Sequence, residues 1–160
     1  MPEPNILLTR IDNRLIHGQV GVTWTKTLGA NLIVVADDAA STDTLAQELM
    51  SMTADSSGAG VRFFTLQRTI DIIGKAAPQQ KIFLVVRNPH SARILVEAGV
   101  PIKQINVGNM HFSEGKHALS KKVYVDDQEV EDLNAIIKSG VEVYIQDVPG
   151  DAKDVLKDVK

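Results

Sequence analysis

The sequence contains no cysteine. That excludes disulfides, thiolate nucleophiles, iron–sulfur clusters and cysteine-ligated zinc, and it suits a reducing compartment, so a cytoplasmic location is expected. No apolar run approaches the roughly 20 residues that cross a bilayer. The opening "MPEPNILLTR" lacks the basic region and long apolar stretch of a signal peptide. Membrane contact is therefore expected only through a partner. Excess positive charge is also missing: the formal net charge is −3, which gives no overall field to draw the chain onto nucleic acid.

What is present is a regular alternation of short β-like runs and amphipathic segments. With 160 residues, 44% of them hydrophobic, the chain suffices for one domain over residues 1–160. Strands are predicted at Asn5–Thr9, Leu32–Ala36, Val61–Leu66, Lys81–Val86, Gln104–Val107, Val123–Asp126 and Val141–Val148. The second and fourth are almost continuously apolar, as in strands covered on both faces. Helices are predicted at Gly18–Leu28, Thr42–Thr53, Arg68–Ala77, Pro89–Ala98, Asp127–Ser139 and Ala152–Val159. Ser41 or Thr42 offers an N-cap, Pro89 a first turn, and Gly99 and Gly140 helix ends. This order predicts an α/β fold: a doubly wound, three-layer α/β/α arrangement around a mainly parallel sheet of about seven strands.

Ligands of such sheets lie beyond the carboxyl ends of the strands. There the densest polar cluster is "RIDNRLIHGQV", which holds Arg10, Asp12, Arg14 and His17 within eight residues. Leu15 and Ile16 are expected to anchor the loop while the charged residues point outward. Val20, Trp24 and Leu28 recur every fourth residue, so His17 falls at the mouth of a helix, where backbone N–H groups favour an anion. Gly18 permits close approach of the backbone.

An imidazole between two arginines suits a histidine that receives a phosphoryl group, because neutral imidazole is nucleophilic near its ordinary pKa of about 6.5. Nearby positive charge favours the neutral ring. Arg14 is placed to spread charge over phosphoryl oxygens. Asp12 either hydrogen-bonds the ring or holds an arginine.

"RIDNRLIHGQV", the following tryptophan and "IVVADD" resemble the IIB components of the bacterial phosphoenolpyruvate-dependent sugar phosphotransferase system, mannose/fructose/sorbose branch. The similarity continues through "FLVVRNP", "LVEAGV", "INVGNMHFSEGK" and the pattern at Val123–Asp126, nearly the whole chain. The resemblance implies a cytoplasmic phosphocarrier. Its histidine, here His17, would take the phosphoryl group on Nδ1 from a phosphohistidine of a IIA protein. It would pass the group to a sugar held by the IIC and IID membrane components, with Arg14 and Asp12 in the same motif. No cofactor or metal is implied. Within the family, the resemblance leans towards the N-acetylgalactosamine or galactosamine branch. The first strand begins about five residues in, so IIA is expected to be supplied separately.

Gln19 belongs to the motif. Arg10, Arg68 and His111 are candidate phosphate or partner contacts, and Arg10 with its neighbours is a candidate basic rim for IIA. Asp37 and Asp38 follow the second strand rather than the first, which disfavours a Mg²⁺-binding receiver and leaves capping or shaping of the site rim. "GNMHFSEG" is not a dinucleotide-binding fingerprint. His90, His111 and His117 lack zinc-ligand spacing. A non-catalytic domain binding an anion in the same crevice is the second class that the sequence allows.

Overall fold

In the computed structural model, which describes residues 3–160, nine strands form two sheets. The strands are β1 (Asn5–Asp12), β2 (Leu32–Ala36), β3 (Gly60–Phe64), β4 (Lys81–Val86), β5 (Gln104–Asn109), β6 (His117–Ser120), β7 (Val123–Val125), β8 (Glu142–Ile145) and β9 (Asp154–Leu156). The main sheet has the order β3-β2-β4-β1-β5-β8-β9. Every pairing in it is parallel except β8 with β9. The helices are α1 (Thr25–Leu28), α2 (Thr44–Asp55), α3 (Leu66–Ile72), α4 (Pro89–Glu97) and α5 (Asp127–Lys138).

Strand alternation divides the core. Ile11, Val34, Leu84 and Ile105 face one layer with Leu95 of α4 and Leu133 of α5. Leu8, Ile33, Val35 and Phe83 face the other, with Trp24 and with Met50 of α2. The chain after β1 thus covers one face, and the helices after β4 and β7 cover the opposite one. The carboxyl end of β1, flanked by β4 and β5, is a topological switch point, where open α/β sheets hold their ligands.

The expected three-layer fold with seven strands is present, but one member of the sheet differs. The sequence pattern places Val123–Asp126 in the main sheet, whereas β7 pairs with β6 in a separate antiparallel hairpin. Met110 steers it there: its N–H donates to the Lys122 carbonyl and its own carbonyl accepts from Tyr124. The seventh strand is β9, inside the segment expected to be a helix at Ala152–Val159. Asn134 of α5 bonds both the N–H and the carbonyl of Val159, which holds the tail extended against α5. The N-cap of α2 is neither Ser41 nor Thr42 but Asp43, whose carboxylate accepts from the Ala46 N–H, because residues 40–42 form their own 3₁₀ turn. Asn88 caps α4 ahead of Pro89, and Asp126 and Glu129 form a reciprocal capping box on α5.

Candidate active site

β1 runs three residues beyond its expected end, so Arg10 and Asp12 belong to a strand, not to a loop. Alternation places them on the same face as Leu8, beneath the helix that follows. Both are fully buried. After Asp12 the chain reverses, with the Leu15 N–H donating to the Asp12 carbonyl at 2.9 Å. Leu15 has φ 58°, a left-handed conformation that costs a leucine roughly 1 kcal/mol. Burial of Leu15 and Ile16 offsets it. The reversal brings His17 back against the strand it left.

His17 Nε2 lies 2.9 Å from Asp12 Oδ2. The same carboxylate accepts from the Arg14 backbone N–H at 3.0 Å, from Arg14 Nε and Nη2 at 3.1 and 3.2 Å, and from Arg10 Nε and Nη2 at 3.3 and 3.2 Å. Burial alone would raise the Asp12 pKa, but hydrogen bonds from His17 and Arg14 and the charge of Arg10 outweigh it, holding the carboxyl at about 2. An ionised carboxylate only accepts, so His17 Nε2 carries the proton and Nδ1 the lone pair. Among the described residues, nothing hydrogen-bonds Nδ1. The His17 side chain is 19% exposed and that of Arg14 42%.

Arg10 does not stand on an outer rim, as the sequence reading expected. Its guanidinium is enclosed: Nη1 donates to Asn106 Oδ1 at 2.6 Å and to the Gln146 carbonyl at 3.2 Å, and the Trp24 ring centroid is 5.2 Å away. Burial lowers its pKa, and the charge of Asp12 opposes that fall. Gly108 makes room, since a Cβ there would lie 2.0 Å from the guanidinium carbon. The register of β1 against β5 skips Gly108, a bulge at the point where the arginine passes.

Other residues hold the site from behind. Trp24 donates its indole N–H to the Asp147 carbonyl at 3.0 Å. Arg87 grips Asp37 through two bonds of 2.8 and 3.1 Å and extends Nη1 to the Asn13 carbonyl at 3.4 Å. Asp37 also caps the turn at Ala40, the role expected of it. Of the remaining candidates, exposed His111 lines a cleft of about 190 Å³ with Asn13 and Arg87, beside the His17 turn. Gly18 starts a π-helical turn, Gln19–Trp24, and a Cβ on it would meet nothing within 4 Å, so no crowding requires glycine there. The side chain of Gln19 lies outside the described residues. Arg68 is not brought to the site; it stands on α3, behind the edge strand β3.

The sequence pattern does not single out Asn106, Gly108, Gln146 or Asp147, and it offers Trp24 only as a helical repeat position with Val20 and Leu28. A glycine inside the apolar strand "INVGN" was the available signal, since such glycines mark bulges or close approach.

The site thus holds a histidine with one nitrogen bonded to a buried carboxylate and the other without a hydrogen-bond partner among the described residues, with an exposed arginine alongside. Comparison with known proteins gives the class. Residues 6–159 match the family described as the sorbose-subfamily IIB component of the sugar phosphotransferase system (PTS). The chain is 62% identical over 158 residues, 99% of its own length and all of the relative's, to N-acetylgalactosamine-specific phosphotransferase enzyme IIB component 1 of Escherichia coli K12. The crystal structure of that component superimposes with a TM-score of 0.92, covering 95% of this chain and 99% of the other. The IIB domain of the sorbose permease from Klebsiella pneumoniae, 31% identical, gives 0.85 over 93% and 91% of the two chains. The protein is thus a phosphotransferase component, and it belongs to the sorbose-subfamily IIB family of the PTS.

Proposed function

We propose that His17 is the phosphoryl carrier, accepting the group on Nδ1 from a phosphohistidine of a IIA protein and passing it to a sugar held by IIC and IID membrane components. The observation that carries this reading is the Asp12–His17 contact, which leaves the Nδ1 lone pair as the nucleophile. In the first step Nδ1 attacks phosphorus and the donor's P–N bond breaks, while the proton stays on Nε2, donated to the Asp12 carboxylate. Phosphorylation makes the ring cationic, and Asp12 then faces that charge. Arg14, the exposed partner of Asp12, is free to turn its fork towards the phosphoryl oxygens. In the second step the sugar hydroxyl oxygen attacks phosphorus, the P–Nδ1 bond breaks, the hydroxyl proton passes to solvent, and neutral His17, still protonated on Nε2, returns.

The sugar we assign is N-acetylgalactosamine, on the strength of the name of the 62% identical relative. The reaction would take place on the cytoplasmic side of the membrane, through transient docking. The experiment is phosphorylation by phosphoenolpyruvate, the general phosphotransferase proteins and a matched, active IIA. An acid-labile, base-stable mass increase that disappears in His17→Ala is the expected result. Undiminished labelling of that variant, or no labelling of the native chain, overturns the reading.

A further inference from the structure

The helix layer is incomplete over the outer end of the sheet. α3 has only seven residues and gives way to a single 3₁₀ turn, Ile73–Lys75. The face presented by the N-terminal halves of β2 and β4 and by edge strand β3 is therefore left partly open, as a hollow of about 280 Å³. Its floor is apolar: Leu32, Val34 and Ile82 from the sheet, with Phe64, Ile72 and Ile73 beside them. Its mouth carries three exposed cations, Arg62, Arg68 and Lys75, and no acidic side chain lines it.

The charges are the informative part. In a chain of net charge −3, three cations converge on one apolar opening. Among the described residues none of the three is in a salt bridge: Arg62 reaches only its neighbour's carbonyl, and Asp71 of α3 is taken up by Gln67. Like charges gathered without counter-ions repel one another, and an anion at the mouth relieves that repulsion. The floor requires that the anion bring an apolar body. The volume sits at the small end of ligand pockets, fitting one compact molecule better than a protein segment.

We propose that this hollow is a second binding site, selective for small amphipathic anions: carboxylates with an aliphatic or aromatic body. Arg68, with Arg62 and Lys75, binds the carboxylate, while Ile72, Ile73 and Ile82 take the body. The hollow runs from edge strand β3 to β4, the neighbour of β1, on the face of the sheet opposite Leu8 and Trp24, and does not depend on the function of His17.

Phenylbutyrate titrated into the isotope-labelled protein, followed by nuclear magnetic resonance, tests it. Saturable shifts are expected at Arg62, Arg68, Lys75 and the floor residues. Phenylbutanol, with the same body and no charge, should bind roughly tenfold more weakly. The surface double variant Arg68→Glu/Lys75→Glu should lose about as much while unfolding at the native temperature. Ala76→Trp, which fills the hollow, should abolish binding. Equal binding of acid and alcohol, native binding by both variants, or no saturable shift at the hollow overturns the proposal. So does saturation by an acetylated Leu-Asp-Leu peptide where phenylbutyrate fails, which would assign the hollow to a protein partner.

Discussion

The guanidinium of Arg10 occupies the space where a side chain on residue 108 would begin. A Cβ on Gly108 would lie 2.0 Å from Arg10 Cζ and 2.0 Å from Nη2. Arg10 in turn contacts the carboxylate that orients His17. A strand glycine and the proposed phosphoryl-carrying histidine are thereby coupled through two buried charges.

Gly108→Ala should therefore displace Arg10 or shift the bulge. Overpacking of this kind costs about 1–3 kcal/mol, and a guanidinium left partly unpaired adds to that. Chemical denaturation should record the loss, and phosphorylation of His17 should slow in the variant that still folds. Gly18→Ala, with nothing within 4 Å of the new methyl, is the control. Its stability should change by no more than about 0.5 kcal/mol.

This coupling also marks what could be read from the sequence and what could not. Apolar runs disclosed β2 and β4 because both their faces are covered, and the crowding of charges disclosed His17, Asp12 and Arg14 because they lie within one turn of chain. The burial of Arg10 was hidden. Its partners Asn106 and the Gln146 carbonyl are 96 and 136 residues away, and a polar residue closing a strand looks the same whether it faces water or another charge. Arg68 was misplaced for a related reason: every parallel strand ends at the same edge, but the order β3-β2-β4-β1 sets its strand three places from the histidine. β9 was hidden because a three-residue edge strand has too few side chains to show a period.

Asp12 makes stability dependent on acid. Its pKa is about 2 in the folded chain against an ordinary value of 3.8. A depressed carboxyl contributes stability in full above the unfolded value and loses it as pH falls through the folded one. The contribution is about 2 kcal/mol, fading between roughly pH 5 and pH 2. Urea denaturation across that range should show the decline. Asp12→Asn should lack this component of the slope and start several kcal/mol lower, because buried Arg10 would lose its nearest carboxylate and keep only Asp147, 3.9 Å away. An unchanged slope in that variant would remove Asp12 as its source.

The clamp between Arg87 and Asp37 should act on the turn, not on the chemistry. Arg87 reaches the Asn13 carbonyl from a bidentate pair with Asp37. Arg87→Ala is expected to cost about 1–2 kcal/mol. A double-mutant cycle with Asp37→Ala should give a coupling of roughly 1 kcal/mol or more. Strictly additive effects would show that the pair does not support the turn.

Arg14 separates folding from transfer. Its side chain is 42% exposed and adds two bonds to a carboxylate that Arg10 and His17 already satisfy. Arg14→Lys should therefore leave stability within about 0.5 kcal/mol of native. Transfer is a different matter under the proposed function, since a lysine offers a point charge where a guanidinium fork can bind two phosphoryl oxygens at once. Loss of one such charge-assisted contact in the transition state is worth about 1.5–3 kcal/mol, or roughly ten- to a hundredfold in rate. Quenched-flow measurement of sugar phosphate formed from phosphorylated protein should show that slowing while the urea midpoint stays put. Native transfer rates in Arg14→Lys would leave Arg14 as a structural partner of Asp12 alone.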